Sequence, residues 1–294
     1  MKQQSRAYLY AGAAVLAWST VASAFKISLR HLEPAELLWV AAVVSTLVHG
    51  LLLLLRGELA MLRRWDAMEW LRSALFGLFN PFLYYLVLFE AYDRLPAQEA
   101  QPLNYVWPVV LVLFSALFLR QAVRPQQLLA MLLCVAGVAV ISTRGDLLGM
   151  NFTDRTGVLL AVGSTVIWAG YWLLNMRDRA NPVARLFANG LFGALYVSIW
   201  LLQSGELRML PVAGLGGAVY AGVFEMGITF FWWMQALRLS RTTAQVSGLI
   251  FLAPFLSLVV IHFTVGEPIY TSTLTGLVLI VAGLVWLQRA GRGL

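Results

Sequence analysis

Ten apolar runs, each close to the ~20 residues that an α-helix needs to cross a bilayer, follow one another along the 294-residue chain. They lie near residues 7–28, 36–55, 71–91, 98–119, 126–143, 157–176, 183–203, 210–237, 243–264 and 270–288. Backbone N–H and C=O groups cannot stay unpaired in hydrocarbon, so segments of this length close their hydrogen bonds internally as helices. The composition agrees: 60% of residues are hydrophobic and only 12% charged, about half the charge of an ordinary soluble domain. No linker or hydrophilic domain interrupts the runs. Residues 1–294 therefore read as one all-α integral membrane domain of ten transmembrane helices.

The first run imitates a cleavable signal peptide, with a basic start, an apolar stretch and Ala22-Ser23-Ala24. A counterpart later in the chain argues against that. Trp18 matches Trp168, Glu33-Pro34 matches Asn181-Pro182, and Arg56-Gly57-Glu58-Leu59 matches Ser204-Gly205-Glu206-Leu207. Pro108 matches Pro254 and Ala136-Gly137 matches Ala282-Gly283, all at offsets between 146 and 150 residues. Five coincidences in order indicate two homologous halves, at about 7–143 and 157–288. Each half has five spans, an odd number, so the second half enters from the opposite side and the repeats are inverted. Inverted repeats with a site near the midplane are the build of many secondary transporters. With the N-terminus inside, 15 of the 21 Lys and Arg residues fall in inside segments and 6 outside, which places both termini in the cytoplasm.

Composition also excludes. The net charge of +7 sits in short gaps between apolar runs, as a topology signal does, and does not indicate a nucleic-acid partner. Cys134 is the single cysteine, and His49 and His262 lack partners at metal spacing, so no metal site, disulfide or cofactor is expected. No phosphate loop, HExxH, GxSxG elbow or paired intramembrane aspartates appear, so the chain is not expected to be an enzyme. Asn151-Phe152-Thr153 is a glycosylation sequon, meaningful only in a eukaryotic secretory route.

Polar residues in the spans are few and costly. Glu225 lies near the middle of the eighth run, where a carboxylate normally faces protein or a watery cavity. On an ideal helix it shares a face with Thr229 and Trp232, while Phe230 falls on the greasy side. Trp18 sits at mid-depth in run one, as a packed indole or a ligand contact. In run three Pro81 removes a backbone donor, and Asn80, with Gly77 and Tyr84, forms a polar stripe. Run four carries Gln101, Asn104, Tyr105 and Trp107 before Pro108, with Glu99 and Glu90 at the outer mouth. Run six holds Ser164, Trp168, Tyr171 and Asn175 on one face, and Trp172 suits an interfacial aromatic belt. Gln245 and Ser247 begin run nine.

Ala244, Pro254, Gly266-Glu267 and Ala282-Gly283, within a five-plus-five repeat, resemble the drug/metabolite transporter (EamA-type) superfamily; in the first half Arg120-Gln121 stand where Gly-Glu would fall. Trp18-Ser19-Thr20, Asn104-Tyr105-Val106-Trp107-Pro108 and Trp168-Ala169-Gly170-Tyr171 further resemble the bacterial aromatic amino acid exporters of that superfamily. The resemblance implies a bacterial inner-membrane carrier whose central cavity takes phenylalanine, tyrosine or tryptophan outward. It implies that Trp18, Tyr105, Trp107, Trp168 and Tyr171 line that cavity. Glu225 falls in no motif of the family. Together with the polar residues these yield a candidate substrate site of Trp18, Asn80, Tyr84, Gln101, Asn104, Tyr105, Trp107, Trp168, Tyr171, Glu225 and Trp232. An exporter of lipophilic cations using Glu225, and a non-transporting membrane scaffold, are the alternatives. Since one chain supplies both halves of the cavity, a monomer is expected.

Overall fold

A computed structural model describes residues 2–120, 122–149, 152–175, 178–205, 208–240 and 248–291. Gln121, Asn151 of the sequon, Glu206-Leu207, Ala244, Gln245 and Ser247 lie outside the described residues. Ten helices are long and apolar enough to cross a membrane: α1 (Gln3–Leu29), α2 (Pro34–Leu55), α3 (Ala67–Arg94), α4 (Ala97–Leu119), α5 (Pro125–Ser142), α6 (Arg155–Asn175), α7 (Pro182–Ser204), α8 (Val212–Leu239), α9 (Gly248–Val265) and α10 (Thr271–Ala290). No strand occurs among the described residues.

Local chemistry sets where these helices begin and end. Proline opens α2, α5 and α7, a position where its missing N–H costs nothing. Asp66 caps α3 by accepting from Glu69 N at 2.8 Å, and Asn181 caps α7 by accepting from Val183 N at 3.0 Å and Ala184 N at 3.2 Å. Gly266 ends α9 in the left-handed region at φ 82°. Arg120, its counterpart at the end of α4, takes the same region at φ 54°. The first half thus departs from the glycine in sequence and keeps the turn in backbone.

The helices pair mainly across the two halves. α5 packs on α10 and α2 on α7. α1 packs on α8 and α9, and α6, its counterpart, packs on α3 and α4. Exchanging the halves leaves this pattern unchanged. Small residues permit the closest approach: a Cβ on Gly137 would lie 2.6 Å from Gly276 O, and one on Gly283 would lie 2.5 Å from Cys134 Sγ.

Three helices break inside the bundle. In α3 a π turn over residues 78–83 contains Pro81, and Asn80 is extended at φ −144°, ψ 117°. In α4 the helix ends at Asn104 and restarts at Trp107. In α8 a π turn over residues 221–225 is followed by Gly227 at φ −99°, ψ −107°.

Gly137→Val places two methyl groups against a backbone carbonyl that cannot retreat. Overpacking of this kind costs about 1–3 kcal/mol. The thermal midpoint of the detergent-solubilised protein, read as monodisperse fraction after heating, is expected to fall; an unchanged midpoint would show that α5 and α10 can separate freely.

Candidate functional site

The breaks in α4 and α8 border a cavity of about 550 Å³ between α1, α3, α4, α6, α8, α9 and α10, within the range of small-molecule sites. Tryptophans form much of its wall. Trp168 stacks on Tyr84 with ring centroids 4.6 Å apart, and Trp107 lies parallel to Trp172 at 6.4 Å. Trp18 meets Phe230 and Trp233 edge-on at 6.0 and 5.6 Å. Such aromatic edges and faces receive another ring at about 0.5–1.5 kcal/mol per pair beyond area burial.

Polar groups are placed among these rings by the break in α4. Tyr84 Oη donates to Asn104 Oδ1 at 3.0 Å, and Asn104 Nδ2 donates to Ser164 Oγ at 2.9 Å, locking the amide between α3 and α6. Gln101, 5% exposed, lines the cavity with its Oε1 unpaired. Glu225 faces the same space, its Oε1 accepting from Tyr85 Oη at 3.0 Å. Among the described lining residues Glu225 carries the one formal charge; the rest are aromatic, aliphatic or amide.

Of the sequence candidates, Trp18, Tyr84, Gln101, Asn104, Tyr105, Trp107, Trp168 and Glu225 line the cavity, whereas Asn80, Tyr171 and Trp232 do not. Tyr171 backs the wall, stacked on Trp168 at 5.7 Å and accepting from Asn189 Nδ2 at 3.4 Å. Asn80 borders a separate small chamber. Trp232 packs toward Phe224, its ring 6.4 Å away. The π turn explains the last case. One inserted residue advances the following helix by about 100°, which carries Trp232 off the cavity and brings Phe230 and Trp233 onto it. Phe230 therefore belongs to the cavity wall, contrary to the ideal-helix face. Trp172, which suits an interfacial belt by position, also lines the cavity. Glu99 is no solvated mouth residue: it is fully buried and accepts from Arg144 Nε at 2.8 Å.

The lining reaches Gln127 and Gln288, at the start of α5 and the end of α10. With ten crossings, these lie on the membrane face that carries both termini. The opposite face is tied shut between halves. Glu267 accepts from Ala97 N at 2.9 Å and Gln98 N at 3.2 Å, capping α4. Gln98 accepts from Tyr270 N at 3.1 Å and donates to Pro268 O. Arg30 Nη2 donates to Val265 O at 2.9 Å. Arg208 bonds Glu36 at 2.6 and 2.9 Å, which holds its guanidinium above the ordinary value.

The family model described as EamA-like transporter matches this chain twice, over residues 5–143 and 155–288. The chain belongs to the EamA-like transporter family. It is 29% identical to the aromatic amino acid exporter YddG of Ancylobacter novellus over 86% of this chain and 87% of that one. It is 27% identical to the transporter YvbV of Bacillus subtilis over 97% and 92%, and 24% identical to the inner membrane transporter YhbE of Escherichia coli over 88% and 81%. A crystal structure with 25% identity superposes with a TM-score of 0.69 over 98% of both chains. With ten apolar helices and such relatives, this EamA-like protein resides in a bacterial inner membrane.

In this EamA-like transporter the first match supplies Asn104 and its partner Tyr84, and the second supplies Glu225 and Trp168. Replacing Asn104 by Leu leaves Tyr84 Oη without its acceptor in a buried place, at about 1–3 kcal/mol. A lowered thermal midpoint, with Asn104→Asp closer to wild type than Asn104→Leu, is the expected result; equal midpoints in all three would show that the amide is not a structural lock.

Proposed function

We propose that the protein is a secondary carrier that moves aromatic amino acids, or similar amphipathic amines, outward by alternating access. The observation that carries this is a lone carboxylate, Glu225, set among tryptophan and tyrosine rings with no basic group in the described lining. A substrate ring would lie between Trp18, Trp107 and Trp168. Its ammonium would meet Glu225 and Gln101 Oε1, both acceptors, and its carboxylate would take donors from the Gln101 amide, the indoles and Tyr105. Unmatched buried polar groups penalise a wrong ligand more sharply than greasy walls do. The likeness to an aromatic amino acid exporter supports the same substrate class.

With both termini read as cytoplasmic from the charge distribution, the cavity is read as inward-open. Outward release then requires the bonds around Glu267, Gln98 and Arg30 to part while the terminal face closes. One chain carries both halves, and a monomer suffices.

The lack of a cationic residue also favours a second reading, export of lipophilic cations, because such ligands ask for a carboxylate and no donors. Uptake of labelled tryptophan into proteoliposomes separates the two, with tryptamine, indole-3-propionate and tetraphenylphosphonium as competitors. Tryptophan and tryptamine are expected to compete, and indole-3-propionate, which lacks the ammonium, is not. Glu225→Gln should weaken tryptamine by about tenfold or more, the scale of a lost charge-assisted hydrogen bond. Uptake unchanged in a Trp107→Ala, Trp168→Ala double variant would overturn the aromatic cavity; competition by tetraphenylphosphonium alone would favour the cation reading.

Glu267→Ala removes the cap that joins α4 to the α9–α10 turn. Spin labels at positions 32 and 268 should report a longer, broader distance distribution in this variant than in wild type. An unchanged distribution would show that Glu267 does not hold the far face closed.

A further inference from the structure

A second chamber lies behind Glu225, enclosed by α2, α3, α7 and α8 and separated from the cavity by Phe230, which borders both. Its volume is about 20 Å³, room for one water, which needs roughly 10–15 Å³ and two to four polar partners. His49, Asn80, Asn189 and Tyr85 border it. His49, Asn80 and Asn189 are 2%, 7% and 1% exposed. Both nitrogens of His49, Asn80 Oδ1 and Asn189 Oδ1 make no hydrogen bond of good geometry.

These groups are mismatched in one direction. The carbonyls of Ser45 and Gly227 lie near the imidazole and can only accept. The two amide oxygens also only accept. A neutral imidazole has one acceptor nitrogen, and no protein donor serves it. Water supplies two donors, and an imidazolium supplies two more. The surroundings therefore suit a water in the chamber, whose two protons would serve acceptors that a dry site leaves unpaired.

Tyr85 connects this chamber to the substrate cavity. Tyr85 borders the chamber, and its hydroxyl donates to Glu225 Oε1 at 3.0 Å. We propose that His49 is a second proton-binding group, joined to Glu225 through Tyr85 and one chamber water, so that a proton displaced from Glu225 is stored inside the protein. The transfer balances without an outside reactant. With the Tyr85 O–H turned from Glu225 to the chamber water, the proton leaves the Glu225 carboxyl for the Tyr85 oxygen, the Tyr85 O–H proton passes to the water, and a water proton passes to His49. A carboxylic acid and an imidazole become a carboxylate and an imidazolium.

The other titratable groups nearby do not compete for this role. α3 contributes Tyr84 and Tyr85, and α6 contributes Tyr171, bonded to Asn189. From α2 His49 is the titratable residue in the chamber's described lining, beside Ser45, and from α8 Glu225 meets Tyr85. On α7 the nearest charge, Arg185, lies one turn from Asn189 and is tied to Asp178 at 2.8 Å and to Glu69. Tyr92 and Tyr105 border the main cavity beside Glu225.

The proposal builds on Glu225 as the group that meets a substrate ammonium, but its first test needs no substrate. Infrared difference spectra of the bilayer-reconstituted protein are recorded against pH, with the Glu225 carboxyl band assigned by its loss in Glu225→Gln. Two coupled groups titrate in macroscopic steps that belong to the pair. Wild type is expected to show two steps in the carboxyl band, about one pH unit or more apart, and His49→Gln a single step. Asn189→Leu fills the chamber without removing either proton-binding group and should also collapse the two steps to one. A single step in wild type, unmoved by His49→Gln, would overturn the proposal. A second measurement adds tryptamine at a pH where Glu225 is protonated. His49→Gln should release about one more proton to the medium per bound tryptamine than wild type; equal release would overturn storage. Absence of tryptamine binding would count against the substrate reading alone, since the titration stands without it.

Discussion

No water serves the middle of a bilayer, so every interruption of a helix there must find partners within the protein or face a cavity. The breaks in α4 and α8 obey this rule around the main cavity, and the break in α3 does so beside the small chamber behind Glu225. At the π turn of α8, Met226 N reaches back to Ala221 O at 3.1 Å, keeping its proton paired. At the break in α4, Tyr105 N is shared between Gln101 O and Pro102 O at 3.2 and 3.1 Å. The freed polarity is thus confined to side chains, and these are the ones that face the cavity. Asn104 projects where α4 is interrupted, and Glu225 ends the π turn of α8. The cavity and the breaks in α4 and α8 are one feature.

Cross-half pairing supplies the frame in which such breaks survive. α3 and α8 hold the weak points of their respective halves, and each is braced by helices of the other half. Pro81 is an example: a Cβ on Gly193 of α7 would lie 2.4 Å from its Cγ. The kinked segment rests on a helix that has no side chain at the contact, so the ring fits without displacing α7. The same reliance on missing side chains recurs where α5 meets α10. Packing at that distance replaces the hydrophobic drive, which is weak between helices already surrounded by lipid.

Much of this was legible in the sequence, because its two strongest signals are long-range averages. Hydropathy located ten spans, and matched residues such as Trp18 and Trp168 revealed the repeat. Trp18 and Trp168 reach the cavity on the unbroken helices α1 and α6, and Asn104, Tyr105 and Trp107 reach it where α4 is interrupted. The phase of α8 was not legible. Residues Ala221 to Gly227 carry no proline to mark the break, and a π turn leaves no periodic trace in so short a stretch. Trp232 and Phe230 therefore exchanged places relative to an ideal helix. Asn80 and Tyr171 failed for a different reason. Both are polar and deep, but they lie behind the wall, and depth alone cannot separate a lining group from a supporting one. Asn189 and His49 carried no motif and acquire meaning only as members of one chamber.

The lone charge in the cavity ties these observations to transport. Glu225 has Tyr85 as hydrogen-bond partner and no cation in the described lining to balance it. A carboxylate left so in a low-dielectric site is costly, and the cost is relieved in two ways, by a proton or by a ligand's ammonium. Both act on the same oxygen atoms, so they exclude one another. Competition of this kind is the minimum needed to make loading depend on proton activity, whatever the coupling ratio. It also constrains the return step. When the far-face bonds part and the ammonium leaves, the carboxylate must be neutralised again before the cavity can recross the membrane at low cost. On the proposed reading, a proton held nearby would meet that need without waiting for one from the medium, so that the pair of Glu225 and His49, and not the aromatic wall alone, would set the empty carrier's return.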